Sequence, residues 1–431
     1  MNKKIQSKIY FDHAATTATD PRVLKAMMPY MSEKYGNASS AHSFGQGAMS
    51  GVNKSRKILA EFLNCAMDEI IFTSGATESN NLALQGFLRN ASTRLNASGK
   101  QPLHIITSQI EHPSVLDVCK ALEREGAEIS YVGVNREGMV LADDIKNAIK
   151  DNTVLVSIMY VNNETGVIQP IREIGKMIEK YNKYVNTPLA PLKRGMNSNA
   201  GGCRILFHTD ATQAVNYCEC NTKYLHVDML SLSAHKIYGP KGAGCLYVKK
   251  GIPLQPVHYG GHQENGLRSG TYNTSGIVGL GRAVEIIANE REKIKIEKDR
   301  YLIFSAGNKK IKKLRDRIIK EITKKIPDIL INGSMENRIS SNLNLSFKNI
   351  EGESLMIMLD MDGIAVSTGS ACSSGMTESS HVLKAMGATE RMAQGSIRIT
   401  LGRNNTLREV EYFVAKLEGV VNKLRQFAGK K

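Results

Sequence analysis

Ser231-Leu232-Ser233-Ala234-His235-Lys236-Ile237-Tyr238-Gly239-Pro240 closes an apolar run that starts at residue 227 and delivers a lysine into a turn bearing Ser and His. Upstream, the apolar run 205–208 leads into Thr209-Asp210-Ala211-Thr212-Gln213, a carboxylate just beyond a second predicted strand. Further strand-like runs cover 103–108, 129–134, 154–161 and 244–248, and amphipathic helical patterns at 114–125, 141–150 and 171–184 fall between most of them. Short, almost continuously apolar strands alternating with helices predict an α/β fold, a mostly parallel sheet with helices on both faces. Ligands in such sheets sit beyond the carboxyl ends of the strands, where Asp210 and Lys236 fall.

After Gly270 the pattern changes. Charged helical sequence over 276–325 precedes strand-like runs at 342–347, 364–367 and 396–401, and a last helix is expected over 407–427. This predicts a large domain over 17–265 and a smaller α+β domain formed by 1–16 with 266–431. Residues 182–204, rich in Asn, Gly and Pro and without an acidic side chain, form an expected insertion longer than most loops.

The chain has 431 residues, enough for two or three domains, and its 42% apolar and 23% charged content is that of an ordinary globular protein. No apolar run reaches the roughly 18–20 residues that span a bilayer, and Lys3, Lys4 and Lys8 lack the apolar stretch of a secretory signal. The seven cysteines form no paired framework and no CxxC, which fits a reducing compartment, and no metal site is expected. A net charge of +16 favours an acidic partner. No nucleic-acid motif accompanies it, and a protein acceptor is the preferred reading.

A lysine on a strand-end turn can carry an aldehyde cofactor as a Schiff base, and a carboxylate at a neighbouring strand end can hold a pyridinium nitrogen charged. Lys236 and Asp210 together therefore describe a pyridoxal phosphate (PLP) site. Phe72-Thr73-Ser74-Gly75-Ala76-Thr77-Glu78 follows a strand and opens a helix, a seat for phosphate at free N–H groups that include those of Ala76 and Thr77. His112, at a strand-to-helix turn, can stack on a ring or move protons. Asn163 offers an amide to the ring hydroxyl or a substrate carboxylate, and Arg398 on a strand can clamp a carboxylate. Cys372, within Ser367-Thr368-Gly369-Ser370-Ala371-Cys372-Ser373-Ser374-Gly375, is a candidate nucleophile in a polar segment.

In order and spacing these segments resemble the cysteine desulfurases of the NifS/IscS type, among the class-V, fold-type I PLP enzymes. The resemblance, which implies a seven-stranded-type sheet, runs from Tyr10-Phe11-Asp12-His13-Ala14-Ala15-Thr16-Thr17 to the final helix and includes Tyr35-Gly36-Asn37 and Arg268-Ser269-Gly270-Thr271. It implies Lys236 as the Schiff-base lysine, Asp210 at the pyridine nitrogen, His112 stacked on the ring and Gln213 at the ring oxygen. It implies phosphate ligands at Ala76, Thr77, Ser233 and His235, with Thr271 supplied by the second subunit of a homodimer. Asn163 and Arg398 would hold the carboxylate of L-cysteine, with Asn37 nearby. Cys372, on a long loop, would take the sulfur as a persulfide and pass it to an iron–sulfur scaffold or other acceptor, in the cytoplasm or the matrix of a mitochondrion-related organelle. A selenocysteine lyase, an aminotransferase and a non-catalytic docking subunit are the alternatives. The thiol loop argues against the second, and the intact set of site residues against the third.

Overall fold

The computed structural model describes residues 8–95, 102–185, 204–291, 293–297, 300–369 and 379–428. Seven strands form the central sheet: β1 (Ile70–Thr73), β2 (His104–Ser108), β3 (Glu128–Val132), β4 (Thr153–Ser157), β5 (Leu206–Asp210), β6 (Met229–Ser233) and β7 (Gly244–Val248). Their spatial order is β1-β7-β6-β5-β4-β2-β3. Only β7 runs antiparallel to its neighbours, so the carboxyl ends of the other six face one edge. Every residue of β1, β2 and β4–β7 is buried, the reason these segments read as unbroken apolar runs rather than alternating ones.

The helices α1 (Ser43–Leu63), α2 (Ala76–Asn81), α3 (Pro113–Arg124), α4 (Ile171–Val185) and α5 (Thr274–Glu290) accompany this sheet. One core gathers Leu59, Phe72, Val156, Phe207, Leu232 and Leu280, and another holds Leu84, Ile105, Val115 and Leu246.

A separate core forms around the three-stranded antiparallel sheet β8 (Ile329–Ile331), β9 (Asn342–Phe347) and β10 (Ser396–Thr400). It takes in α6 (Ala306–Lys325) and α8 (Leu407–Ala428), and the short α7 (His381–Ala385) belongs to a small cluster with Ile110 and Met159. The N-terminal Ile9–Tyr10 pairs in parallel with Ile364–Ala365. Phe11 is buried in that core edge-on to Phe413, with ring centroids 5.4 Å apart. The chain thus enters the molecule anchored at one core and carries Asp12–Thr16 across to the sheet edge.

Several expected bounds shift. The strand read at 154–161 stops at Ser157, and residues 158–163 instead form the buried turn leading to Asn163. The strand read at 205–208 extends to Asp210, which places the carboxylate on the strand's last residue. The helical stretch read over 276–325 is broken by an antiparallel pair, Lys293–Glu297 with Arg300–Phe304, between α5 and α6. No helix among the described residues is long and apolar enough to cross a membrane.

Candidate active site

A cavity of about 540 Å³ opens where β1, β4, β5 and β6 end, walled on its far side by Ala14–Thr16 and Arg398. Its size lies within the roughly 300–1,000 Å³ common for small-molecule sites. Strand β6 ends at Ser233, and a single tight turn, Ala234–Lys236, lifts the lysine over the sheet edge. Lys236 Nζ donates to the carbonyls of Ala14 and Ala15, at 2.6 and 2.7 Å. Both acceptors are neutral backbone oxygens.

Asp210 is buried on the opposite wall. Its Oδ2 accepts from Asn80 Nδ2 at 2.8 Å, and its Oδ1 accepts from the backbone N–H of Thr212 at 2.9 Å. The same Asn80 amide donates to Ser114 Oγ at 2.8 Å, and that hydroxyl lies 2.9 Å from His112 Nδ1. His112 is the N-cap of α3, and its Nδ1 accepts from Ser114 N–H at 3.1 Å. This leaves the proton of a neutral ring on Nε2. Burial lowers its pKa, with the Lys236 charge acting the same way and Asp210 opposing, and the ring is held neutral. A continuous chain of side chains therefore links His112 to Asp210.

At the other end of the cavity Gly75 caps α2, which continues through a π turn at Leu82–Gly86 into Phe87–Leu95. Such turns recur at functional sites. Ala76, Thr77, Ser233 and His235 all line this end. Burial, helped by the charges of Lys236 and Lys241, pushes the His235 imidazole down to about 4. Glu78 accepts from Ser74 N–H at 2.7 Å and from Arg268 Nε at 2.9 Å, fixing the turn.

The third wall is Asn163 and Arg398. Asn162 builds the turn, accepting from Glu164 N, Thr165 N and Thr165 Oγ1, which leaves Asn163 to face the cavity. Arg398 Nη1 donates to Asn163 O at 3.0 Å, and Nη2 to Asp12 Oδ1 at 2.8 Å. Its Nε is buried with no hydrogen-bond partner among the described residues. Gln213 lines the cavity too, its amide donating to Ala14 O at 2.9 Å. Asn37 and Thr271 are exposed and do not line this chain's own cavity, and Asn37 Oδ1 accepts from Ser39 N–H. Cys372 lies outside the described residues, and so does most of the expected insertion, residues 186–203.

The model of the aminotransferase class-V family matches residues 9–188 and 195–413, and the break falls inside the expected insertion. The chain is 43% identical over 421 residues to the cysteine desulfurase IscS of Dictyoglomus turgidum, covering 98% of this chain and 96% of that one. A solved structure of a NifS-like protein superposes with a TM-score of 0.82 at 37% identity, covering 96% of this chain and all of that one. Another, SspA in complex with cysteine, gives 0.74 at 34% identity over 93% of this chain and 100% of its own. The chain belongs to the class-V aminotransferase family, among its cysteine desulfurases.

That family depends on PLP. The residues present fit the group. A primary amine that donates to two backbone carbonyls, a buried carboxylate and a helix N-terminus flanked by Ser233 and His235 face one cavity. Thr212 Oγ1, in the same wall, is buried without a hydrogen-bond partner among the described residues and is free to bond to a polar ring substituent.

Three residues of the site stand within or beside motifs quoted from the sequence but receive no role there. Asn80 and Ser114 join His112 to Asp210, and Asp12 meets Arg398 across 386 positions. For Asn80 a signal existed, since it stands three positions after Thr77 and so shares a helix face with it. For Asp12 none did, because only the tertiary fold joins it to β10.

Proposed function

We propose that this member of the family converts L-cysteine to L-alanine with PLP on Lys236, and that Cys372 takes the sulfur as a persulfide. The observation that carries the assignment of Cys372 is a backbone pairing. Ser367 N donates to Arg398 O at 3.1 Å, and Arg398 N donates to Ser367 O at 2.6 Å. The described flank that leads to Cys372 is therefore paired with the residue whose side chain lines the cavity.

Arg398 and Asn163 bind the substrate carboxylate, with the Nε–H, unpaired among the described residues, as a further donor. PLP supplies an electron sink for the pair left when the Cα proton departs. Lys236 Nζ, once neutral, accepts that proton, and Asp210 holds the positive charge of the pyridine nitrogen. Asn80 and Thr212 N–H keep the Asp210 carboxylate oriented. His112, fixed by Ser114 and lining the same cavity, would cover the ring of the bound cofactor without adding charge. The Cys372 thiolate attacks the substrate sulfur: the S–S bond forms, the Cβ–S bond breaks, and carbon keeps the electron pair and takes a proton. Thiol plus L-cysteine gives persulfide plus L-alanine, so atoms and electrons balance.

A homodimer fits this reading, with Thr271 serving the neighbouring cavity. Leu24, Met28, Met31, Tyr35 and Phe44 are exposed apolar side chains near one another in sequence, and a second copy would cover them. The net charge of +16 supports an acidic scaffold or other acceptor for the persulfide.

The test is the ratio of alanine to sulfide released from L-cysteine with a thiol reductant. The wild type is expected to release equal amounts, and Cys372→Ala to release neither while keeping its yellow cofactor. Undiminished sulfide from Cys372→Ala would overturn the assignment of the nucleophile.

A further inference from the structure

Glu164, one residue beyond Asn163, has no part in the chemistry above, yet it sits where both described flanks of segment 370–378 meet. Its carboxylate Oε2 accepts from Ser380 Oγ, and Ser380 in turn caps α7 by accepting from Leu383 N–H at 3.1 Å. On the other flank, a Cβ built on Gly369 would lie 2.5 Å from the same Oε2, so the Gly369 backbone packs directly against the carboxylate and a larger residue there would displace it. Asn342 and Asn344 of β9 donate to the Glu164 carbonyl at 3.1 and 3.2 Å and fix its backbone to the small sheet.

We propose that Glu164 is a positioning residue for sulfur uptake: its buried side chain bonds Ser380 on one flank of the Cys372 segment, packs against Gly369 on the other, and so holds both beside the turn that presents Asn163. The inference rests on Cys372 being the sulfur acceptor. The ionised side chain is the competent form, because a charge-assisted bond from a hydroxyl to a carboxylate is roughly twice as strong as a neutral one. The groups facing it are few. Arg398 of β10 is the charged neighbour, with Asp12 engaging that guanidinium at Nη2. Ser380 and the Gly369 backbone are neutral, and His381, beside Ser380, faces Glu111 O at 3.0 Å instead. Burial raises the Glu164 carboxyl to about 7, against the Ser380 bond and the Arg398 charge. Its ionisation therefore falls in the working range, and persulfide formation should rise with pH through about 7.

The test follows PLP-loaded wild type, Glu164→Gln and Ser380→Ala from pH 6 to 9. It reads KM for L-cysteine, the cofactor's absorbance change on adding L-cysteine, and the single-turnover rate of persulfide formation on Cys372. For Glu164→Gln, KM and the absorbance change should stay within about twofold of wild type. Persulfide formation at pH 8 should slow on the order of tenfold, the loss expected for a hydrogen bond to a charged group. The rise near pH 7 should vanish, Ser380→Ala should slow the same step, and the double variant should be no worse than the slower single one.

Wild-type persulfide formation with an unchanged pH profile in Glu164→Gln overturns the proposal. So does an equal loss in the absorbance change, which would make the residue merely structural. If Glu164→Gln does not fold, an unimpaired Ser380→Ala overturns it. Failure of the reading beneath it looks different, as a persulfide found elsewhere than Cys372 in the wild type.

Discussion

At the residue scale, Arg398 carries the clearest prediction. Its guanidinium is buried, held by Asp12 and the Asn163 carbonyl, with Nε unpaired among the described residues. Lysine offers a single ammonium with no fork and cannot reproduce two bonds in one plane. Arg398→Lys should raise KM for L-cysteine roughly 10- to 100-fold, the loss of one hydrogen bond between charged groups. Steady-state kinetics check it, and a KM within twofold of wild type would remove Arg398 from the substrate site. A second prediction concerns Glu111, fully buried behind the cavity, with Ser108 Oγ at 2.6 Å and Met159 N at 2.9 Å on Oε1 and nothing on Oε2 among the described residues. Burial raises its carboxyl to about 8, and the Asp210 charge adds to the shift. Between its ordinary value and 8 the folded state holds the proton more tightly than the unfolded chain, so this group makes stability fall as pH rises across that window. Glu111→Gln should remove the decline. Urea denaturation at pH 5 and pH 8 reads it as a gain over wild type that is larger at pH 8.

At the scale of elements, the cavity depends on how closely β7 lies against the start of α2. A Cβ on Gly244 would meet Gly75 Cα at 2.6 Å and Leu232 O at 2.7 Å, backbone on both sides. Gly244→Ala should cost about 1–3 kcal/mol of stability, as overpacking does, and should displace the cap of α2. Thermal melts and cofactor absorbance after purification would show lower Tm and lower PLP occupancy. The sheet itself was legible because buried parallel strands are apolar throughout, and Lys236, Asp210 and His112 were legible because each stands at the end of such a run. The Asp12–Arg398 pair, the Asn80–Ser114 link and the meeting of Gly369, Ser380 and Glu164 were not. Each joins side chains from distant elements, and no periodicity within one segment encodes such a contact. The antiparallel pair at 293–304 was misread for a different reason. Its alternating Lys-Ile-Lys-Ile follows a helix and precedes another, and its charges blended into the helical pattern.

At the scale of the whole molecule, two features carry predictions, the net charge of +16 and the segment where the family match breaks. Asn182 Nδ2 donates to Ile205 O at 2.8 Å, and Ile205 N donates to Asn182 Oδ1 at 2.9 Å. These bonds tie the end of α4 directly to the entry of β5. Replacing 186–203 by a short Gly-Ser linker should leave alanine formation from L-cysteine unchanged, since Asp210 keeps its strand and partners. A fall in turnover would mean the segment supports β5. The charge of +16 predicts that transfer to an acidic acceptor slows as ionic strength rises from about 0.01 to 0.15 M, where the screening length drops from roughly 30 to 8 Å. The rate of release to small thiols should stay flat over the same range.

The most direct test of the account maps sulfur on the protein itself. PLP-loaded enzyme is given one equivalent of L-cysteine without reductant, alkylated, digested and analysed by peptide mass. The account predicts one added sulfur atom on the peptide containing Cys372, formed together with one equivalent of alanine and absent in Lys236→Ala. Alanine formed with no sulfur on that peptide, or with sulfur on Cys65 or another thiol, would contradict it.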